Sequence, residues 1–337
     1  MKYDFKLNKV IKKIKEKNAK NVVLQFPEGL RPKAIDIAKK IESKTNVNVI
    51  ISADSCYGAC DVADKKYYGI VDLIVHYGHT PLPIKTKVPT IFVEAFSTLD
   101  FKDIKNLLKQ AIDYIGKDKK IGLVSVAQHL PLLKKIKKYL EKKGKEVVMK
   151  KGIGTKPGQV LGCNFSSVKN LDVDTYLFIG GGNFHALGIK LATKKPVVIV
   201  DPYEGEVRNI ERFAKKIMKI RFAKIIKAQK AKTWGILMSS KPGQLRQELA
   251  LKLKNKLKAH GKKSFLIILD NIVPEFLQSF TGIDAFVSTA CPRIAIDDSY
   301  LFKKPVLTPK ELEIVLGERS WEEYELDEII WEEGNEN

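Results

Sequence analysis

The order of short apolar runs and helical segments repeats three times along this chain of 337 residues. In each copy an apolar run precedes a lysine-rich amphipathic helix, and three further apolar runs follow with turn residues between them. The first runs are 21–26, 120–126 and 233–238, and the helices are 31–43, 131–143 and 244–260. The later runs are 47–52, 72–75 and 88–93, then 146–149, 175–179 and 195–200, then 263–269, 285–287 and 304–307.

Apolar runs that alternate with helices are typical of parallel sheets covered by helices. The sequence therefore predicts an α/β protein of three repeated modules, each a small parallel sheet flanked by helices, arranged around a central site. The predicted bounds are 1–116, 117–231 and 232–310, with an acidic C-terminal tail at 311–337. The links at 100–116 and 204–231 are predicted to be helical. Functional groups are expected at the carboxyl ends of the strands.

The charge is strongly basic, with 60 Lys and Arg against 39 Asp and Glu and a net charge of +21. The excess is mostly lysine spread over predicted helices such as 134–151 and 252–263. Base readout and bidentate phosphate binding favour arginine, so direct sequence-specific nucleic-acid binding is not expected. The tail from Glu311 reverses the sign of the charge. We expect it to cover a basic surface of its own chain or of a second subunit.

The chain begins with charged residues, and no run approaches the ~18 apolar residues that a membrane span needs. These features predict a cytoplasmic protein without a membrane segment. Four cysteines in a chain of this size do not make a disulfide framework. In a reducing compartment, sparse cysteines on loops more often bind metal or take part in catalysis.

Three of the cysteines, Cys60, Cys163 and Cys291, fall one in each predicted module and have neighbours typical of turns. If the modules share a centre, three loops can bring three thiolates to one point. Thiolates favour iron-sulfur clusters or zinc. Structural zinc normally has four ligands, and the fourth would have to be Cys56 or a histidine. Three thiolates instead suit a cluster with one open iron.

Cys56 competes with Cys60 for the role of ligand. The two have the spacing that starts the C-x-x-x-C-x-x-C motif of radical S-adenosylmethionine enzymes, but the third position is Ala63. Cys60 is the predicted ligand because Cys163 occupies a comparable place in the second module. Cys56 is then a spectator or a neighbour that tunes the cluster, and a redox disulfide between Cys56 and Cys60 is the alternative.

A glycine run after an apolar strand, Gly180-Gly181-Gly182, suggests a dinucleotide site at first sight. The G-x-G-x-x-G spacing is not completed, because the next glycine is Gly188. A tight turn close to a ligand is therefore favoured over a nicotinamide site.

Five short strings resemble one known family: LQFPEGL at 24–30, YGACD at 57–61, HYGH at 76–79, GC at 162–163 and ACPR at 290–293. They look like the archaeal enzyme of the first step of diphthamide biosynthesis, 2-(3-amino-3-carboxypropyl)histidine synthase. The resemblance covers about residues 21–310, and the tail from Glu311 carries no part of it.

The resemblance implies that Cys60, Cys163 and Cys291 hold a 4Fe-4S cluster whose open iron meets S-adenosylmethionine. It implies cleavage between sulfur and the methionine γ-carbon, which gives methylthioadenosine and a 3-amino-3-carboxypropyl radical. The radical would attack C2 of a histidine in translation elongation factor 2. A homodimer and a one-electron donor are also implied, and the sequence does not identify the donor.

A sulfonium and an amino-acid head group call for carboxylate, amide and backbone partners near the strand ends. The candidates for S-adenosylmethionine binding are Gln25, Glu28, Gly29, His79, Gln128, His129, Gly181, Gly182, His185 and Asp201. For each of them the alternative is an ordinary helix cap, turn hydrogen bond or satisfied polar group.

Two other functions stay open at this point. Quinolinate synthase is also a triplicated α/β enzyme that holds a 4Fe-4S cluster through three distant cysteines, and it uses the open iron in dehydration. The second alternative is a non-catalytic basic binding module whose cysteines hold zinc or nothing.

Overall fold

Three largely parallel sheets carry the fold, and their strands follow the same order. The computed structural model describes residues 3–331. In each sheet the first strand along the chain lies between the second and the third, and the fourth pairs with the third. The predicted α/β class, with several parallel sheets flanked by helices, is therefore confirmed. The bounds of the three modules stay a prediction, since the structure divides into two compact units.

The first unit comprises the described residues up to Asp103, with Ala127–Lys134 and Lys241–Gly243. It contains one parallel sheet of order β3-β2-β4-β5 and an antiparallel pair of β1 with β6. Its elements are β1 (Tyr3–Asp4), α1 (Leu7–Glu16), β2 (Asn21–Gln25), α2 (Ala34–Glu42), β3 (Asn48–Ile51), α3 (Asp64–Tyr67), β4 (Leu73–Tyr77), β5 (Thr90–Val93) and β6 (Phe96–Ser97).

The core of the first unit lies beside β4, whose five residues are all buried. Helix α2 buries Ala34, Ile37, Ala38 and Ile41, the spacing of one helix face. Each large side chain removed from water in this way contributes about 1.5–3 kcal/mol. The buried strands thereby fix the positions of the loops at their carboxyl ends.

The second unit comprises Ile104–Val126, Lys135–Ser240 and the described residues from Gln244. Its sheets have the orders β11-β10-β9-β7-β8 and β13-β12-β14-β15. The strands are β7 (Lys120–Ser125), β8 (Glu146–Val148), β9 (Thr175–Ile179), β10 (Val197–Asp201), β11 (Glu206–Asn209), β12 (Thr233–Ser239), β13 (Lys263–Leu269), β14 (Ala285–Ser288) and β15 (Val306–Leu307). The helices along this part of the chain are α4 (Phe101–Ile115), α5 (Leu130–Glu141), α6 (Phe184–Thr193), α7 (Glu211–Gln229), α8 (Gln247–Ala259), α9 (Pro274–Leu277), α10 (Pro292–Ile296) and α11 (Pro309–Val315).

The two predicted helical links have different outcomes. Helix α4 confirms the first link. The second was wrong at its start, because β11 pairs antiparallel with β10 before α7 begins. The chain reverses between Asp201 and Gly205, where Gly205 has a φ of 69° and donates its N–H to the Asp201 carbonyl at 3.0 Å. Glycine adopts this left-handed conformation readily, so the turn forms a hairpin.

The acidic tail pairs with basic groups of its own chain, which was one of the two expectations for it. Glu311 is fully buried and forms an ion pair with Arg221 at 2.6 Å, while Glu325 reaches Lys310 at 2.5 Å. A capping box of Thr308 and Glu311 starts α11. Within residues 3–331, no helix combines the length and the apolar character that crossing a membrane requires.

An aspartate precedes the third strand of each parallel sheet and makes the same contact three times. One carboxylate oxygen accepts two backbone N–H groups where the first strand of that sheet begins, at 2.8–2.9 Å. The three aspartates are Asp72, Asp174 and Asp284. These backbone hydrogen bonds lower the pKa of all three carboxyl groups.

We expect acid to remove this contribution to stability. A carboxyl group whose pKa is lowered by folding stabilises the folded state above its unfolded pKa, about 3.9 for Asp, and loses that effect as pH falls through the folded pKa. The triple Asp72→Asn, Asp174→Asn and Asp284→Asn variant should have a lower Tm at pH 7 and a smaller loss of Tm below about pH 4. Circular dichroism melts between neutral and acidic pH measure both effects. Asp113→Asn is the control, because Asp113 is exposed. The same dependence of Tm on pH in the triple variant and wild type would contradict the expectation.

Candidate functional site

The Cys60 loop lies in the first unit, on the short 3-10 helix Ala59–Asp61, and the thiol residue is half-buried. Gly243 donates its N–H to the Cys60 carbonyl at 3.0 Å. A Cβ added to Gly243 would lie 2.4 Å from the Cys60 Cα, and one added to Gly58 would lie 3.1 Å from the Cys60 Sγ. The backbone of Gly243 therefore packs directly on the Cys60 backbone, where a side chain has no room.

A buried ion pair adjoins Cys60. The Lys241 Nζ contacts the Asp61 Oδ2 at 2.7 Å, and both side chains are less than 8% exposed. The Tyr57 N–H donates to the same oxygen at 3.3 Å, and the Lys241 ammonium lies 5.0 Å from the centre of the Tyr57 ring. Removing one partner of such a pair costs about 3–5 kcal/mol, because the other charge is left buried. Sequence reasoning missed both residues, although Asp61 directly follows the proposed ligand.

Gln25 connects the Cys60 loop to a pair of histidines at the end of β4. The Gln25 Nε2 donates to the Asp61 carbonyl at 2.7 Å, which places its Oε1 at 2.9 Å from the His76 Nδ1. The Nδ1 of His76 therefore carries the proton, and its Nε2 accepts from the Nδ1 of His79 at 2.9 Å. This assigns both tautomers from the network and leaves the Nε2 of His79 as the unprotonated nitrogen.

Both imidazoles are neutral near pH 7. Burial lowers the pKa of His76 well below its usual range, and it lowers the pKa of His79 to about 4. Gln25 and His79 were predicted from the sequence, and the structure brings them together through His76. Sequence reasoning did not select His76, although the repeated histidine in His76-Tyr77-Gly78-His79 was a signal for it.

Cys56 is buried, and its Sγ lies 3.8 Å from the Nε2 of His76. Burial raises the pKa of the Cys56 thiol, so the group stays protonated. The ligand atoms of Cys56, His76 and His79 lie within 4.8 Å of one another, a set that could hold a metal ion. Within this set the two histidines are hydrogen-bonded to each other. None of the four cysteines, all within the described residues, forms a disulfide.

The other predicted residues of the first unit differ in position. Gln128 donates from its Nε2 to the Gly78 carbonyl, next to His79. His129 is buried in the 3-10 helix Ala127–His129. Glu28 and Gly29 are exposed on the 3-10 helix that follows β2. The structure therefore brings Gln25, His79 and Gln128 to one strand-end region and leaves the side chain of Glu28 in solvent.

The loops of Cys163 and Cys291 lie in the second unit, and both adjoin Phe184. A Cβ added to Gly162 would lie 2.7 Å from the Phe184 ring and 3.8 Å from the His185 Nε2. The guanidinium of Arg293, two residues after Cys291, lies 4.9 Å from the centre of the Phe184 ring. Both cysteines are half-buried on loops, as the sequence predicted.

His185 stands beside the Cys163 loop at the start of α6. Its ring stacks on Phe178 with centroids 5.9 Å apart. Burial, with a smaller effect of the positive charge of Arg293, lowers the pKa of His185 to about 4. Like His79, this predicted site residue is a neutral imidazole next to a cysteine loop.

Asp201 is buried at the end of β10 and holds the turn that follows. Its carboxylate accepts the N–H groups of Tyr203 at 3.0 Å and Gly182 at 3.3 Å, and it binds Arg208 at 3.1 Å. A Cβ added to Gly181 would lie 3.0 Å from the Tyr203 ring. The glycine run therefore forms the tight turn that the sequence predicted, with Asp201 as its anchor.

Comparison with known proteins places the chain in a family. Residues 26–325 match the family model described as diphthamide synthesis protein. The match extends past Glu311, so the expectation that the tail takes no part in the resemblance was wrong. The local acidic composition of the tail had hidden its packing into the core through Glu311.

Relatives with one enzyme name match over most of their length. The 2-(3-amino-3-carboxypropyl)histidine synthase of Pyrococcus horikoshii is 41% identical over 98% of this chain and 95% of the relative. The enzyme of the same name from Methanocaldococcus jannaschii is 31% identical over 97% and 93%. Subunit 1 of the Gallus gallus synthase is 33% identical over 96% of this chain and 80% of the relative.

A solved structure agrees with the sequence comparison. The crystal structure of Dph2 from Pyrococcus horikoshii with a 4Fe-4S cluster superposes with a TM-score of 0.90 at 38% identity, covering 100% of this chain and 97% of that one. Together these matches show that the chain is a transferase of the diphthamide synthesis family.

Proposed function

We propose that this chain carries out the first step of diphthamide biosynthesis on translation elongation factor 2. A 3-amino-3-carboxypropyl group would pass from S-adenosylmethionine to C2 of one histidine, with release of methylthioadenosine. The observation that carries the proposal is the likeness over the whole chain to the cluster-containing Dph2 structure, at 38% identity.

Cys60, Cys163 and Cys291 are the proposed ligands of a 4Fe-4S cluster. All three are half-buried thiols on loops, which is the donor chemistry that such a cluster requires. The Cys60 loop is held in place by Gly243, because a side chain at Gly243 would overlap the Cys60 backbone. Three protein ligands leave one iron open for a co-substrate.

When bound and reduced, the cluster would supply the electron that breaks the bond between the sulfur and the γ-carbon of S-adenosylmethionine and gives the 3-amino-3-carboxypropyl radical. The protein's residues orient the co-substrate and exclude water. The neutral imidazoles of His79 and His185 suit a sulfonium cation, since a protonated imidazole would repel it. Gln25 and Gln128 offer amide groups beside His79, and the turn of Gly181, Gly182 and Asp201 offers backbone groups.

The proposal includes the partners that the family resemblance implies. They are elongation factor 2 as the protein substrate, a second copy of this chain in a homodimer, and a one-electron donor in the cytoplasm. A net charge of +21 would speed the approach of an acidic partner, and high ionic strength would weaken that effect.

Product formation tests the proposal directly. The anaerobically reconstituted protein, given S-adenosylmethionine and dithionite, is expected to form methylthioadenosine and to contain about four irons per chain. Carboxyl-labelled S-adenosylmethionine should transfer its label to purified elongation factor 2. A histidine-to-alanine variant of the target residue in the factor is the matched control and should receive no label.

Two other results would overturn the proposal. Quinolinate formed from iminoaspartate and dihydroxyacetone phosphate, without methylthioadenosine, would identify a dehydratase instead. Colourless protein with one zinc per chain would identify a non-catalytic metal-binding module.

A further inference from the structure

The C-terminal segment 324–329 binds the Cys163 loop directly and is linked to the Cys291 loop through Arg246. Its apolar side chains are between 3% and 6% exposed, namely Tyr324, Leu326 and Ile329. The segment is therefore packed into the protein and does not lie loosely on its surface. The Tyr324 hydroxyl donates to the buried Glu311 at 3.0 Å, which anchors one end to the core. We call residues 324–329 the clamp segment.

At its far end the clamp segment binds the Cys163 loop. The Ile329 N–H donates to the Cys163 carbonyl at 2.7 Å. Two residues after the cysteine, the Phe165 N–H donates to the Glu328 carboxylate at 2.7 Å, and Lys169 pairs with the same side chain. The backbone of this loop is thus held at Cys163 and at Phe165 by residues more than 150 positions later.

Arg246 joins the clamp segment to the Cys291 loop. Its Nε donates to the Thr289 carbonyl at 2.6 Å and its Nη2 to the Ala290 carbonyl at 3.4 Å, directly before Cys291. The same guanidinium forms a two-point contact with the Asp327 carboxylate and donates to the Glu328 carbonyl at 3.2 Å. The planar fork of arginine donates in all these directions at once, which lysine cannot do.

The contact between Arg246 and Asp327 is buried, so neither charge can be left unpaired without a large cost. Asp327 is 4% exposed, and burial raises the pKa of its carboxyl group while Arg246 opposes that change. An unpaired charge at this depth would be strongly unfavourable. Arg246 therefore holds the clamp segment at Asp327 and Glu328, and it also fixes the carbonyls before Cys291.

We propose that Arg246 and the clamp segment position Cys163 and Cys291 at the spacing that the cluster requires. The inference rests on the proposed function in one respect, namely that these two cysteines are ligands. A site of this kind must be held within about 0.5 Å of its working geometry by its supporting contacts. Arg246 acts through the loop backbones, so it is a positioning residue.

The cluster-free full-length protein gives a test that does not depend on the proposed function. In Arg246→Met, the rates at which iodoacetamide alkylates Cys163 and Cys291, followed by peptide mass spectrometry, should rise on the order of tenfold, which equals a loss of about 1.4 kcal/mol. The rate at Cys60 should not change. Arg212→Met is the matched control, since Arg212 is an exposed arginine on α7, outside the clamp segment and the cysteine loops. Arg246→Lys should lie between wild type and Arg246→Met.

The cluster-loaded protein gives the second readout. In Arg246→Met the electron paramagnetic resonance spectrum of the reduced cluster should change, and a chelator should remove iron on the order of tenfold faster. Leu253→Ala creates a core cavity in the same unit, so it should lower the Tm without changing the spectrum.

Three results would overturn the proposal: unchanged alkylation rates in Arg246→Met, an equal rise at Cys60, or the same spectral change in Leu253→Ala. Failure of the cluster assignment would show itself separately, as a Cys163→Ala or Cys291→Ala variant that keeps its iron.

Discussion

Cys60→Ala, Cys163→Ala and Cys291→Ala are each expected to abolish the iron-sulfur cluster and to reduce methylthioadenosine formation to background. Each substitution removes one thiolate from a set of three. One iron of the cluster already lacks a protein ligand, and the remaining two thiolates cannot hold the cluster. Iron and sulfide analysis after anaerobic reconstitution, with the electron paramagnetic resonance signal of the reduced protein, measures the loss. Unchanged circular dichroism would show that the fold is intact.

The matched control is Cys56→Ala, which is expected to keep its cluster. The Cys56 thiol is buried against His76, and burial keeps it protonated. A ligand must be a thiolate that reaches the metal. Loss of iron in Cys56→Ala, together with a normal cluster in Cys60→Ala, would reverse the assignment of these two residues.

Gly243→Ala is expected to damage the cluster site although it touches no proposed co-substrate contact. The added methyl group would lie 2.4 Å from the Cys60 Cα and 2.5 Å from its Cβ, so one backbone must move. Overpacking of this kind costs about 1–3 kcal/mol, and here it also strains the hydrogen bond from Gly243 to Cys60. We expect a lower Tm and a loss of most of the iron after reconstitution.

Gly29→Ala is the control for the same chemical change. Nothing lies within 4 Å of a Cβ at Gly29, so both Tm and iron content should match wild type. A Gly243→Ala protein with full iron content would show that the Cys60 loop tolerates displacement.

Much of the fold could be predicted from local patterns. The predicted run 21–26 contains strand β2, the run 175–179 is β9, and the predicted helix 244–260 contains α8. These succeed because apolar periodicity reports which residues must be buried. The hairpin strand β11 was missed because its four residues adjoin a long helix and carry mostly polar side chains.

The site was predicted less completely than the fold. The sequence pattern selected Gln25, His79 and His185, whose places at strand ends follow from the repeat. It could not select Lys241 or Arg246, because an isolated basic residue in a lysine-rich chain has no distinguishing local signal. Their roles come from contacts with Asp61 and Asp327, which only the folded chain brings into reach.

The contact between Asp61 and Lys241 also has a consequence for biosynthesis. The two residues are 180 positions apart, so the Cys60 loop lacks its ion pair and its Gly243 contact during most of translation. At about 5–20 residues per second, the two halves of the contact leave the ribosome roughly 10–40 s apart. The Cys163 loop is completed later still, since its partner Ile329 follows Lys241 in the chain. Cluster insertion should therefore follow synthesis of the segment around Ile329 rather than accompany synthesis of the cysteine loops.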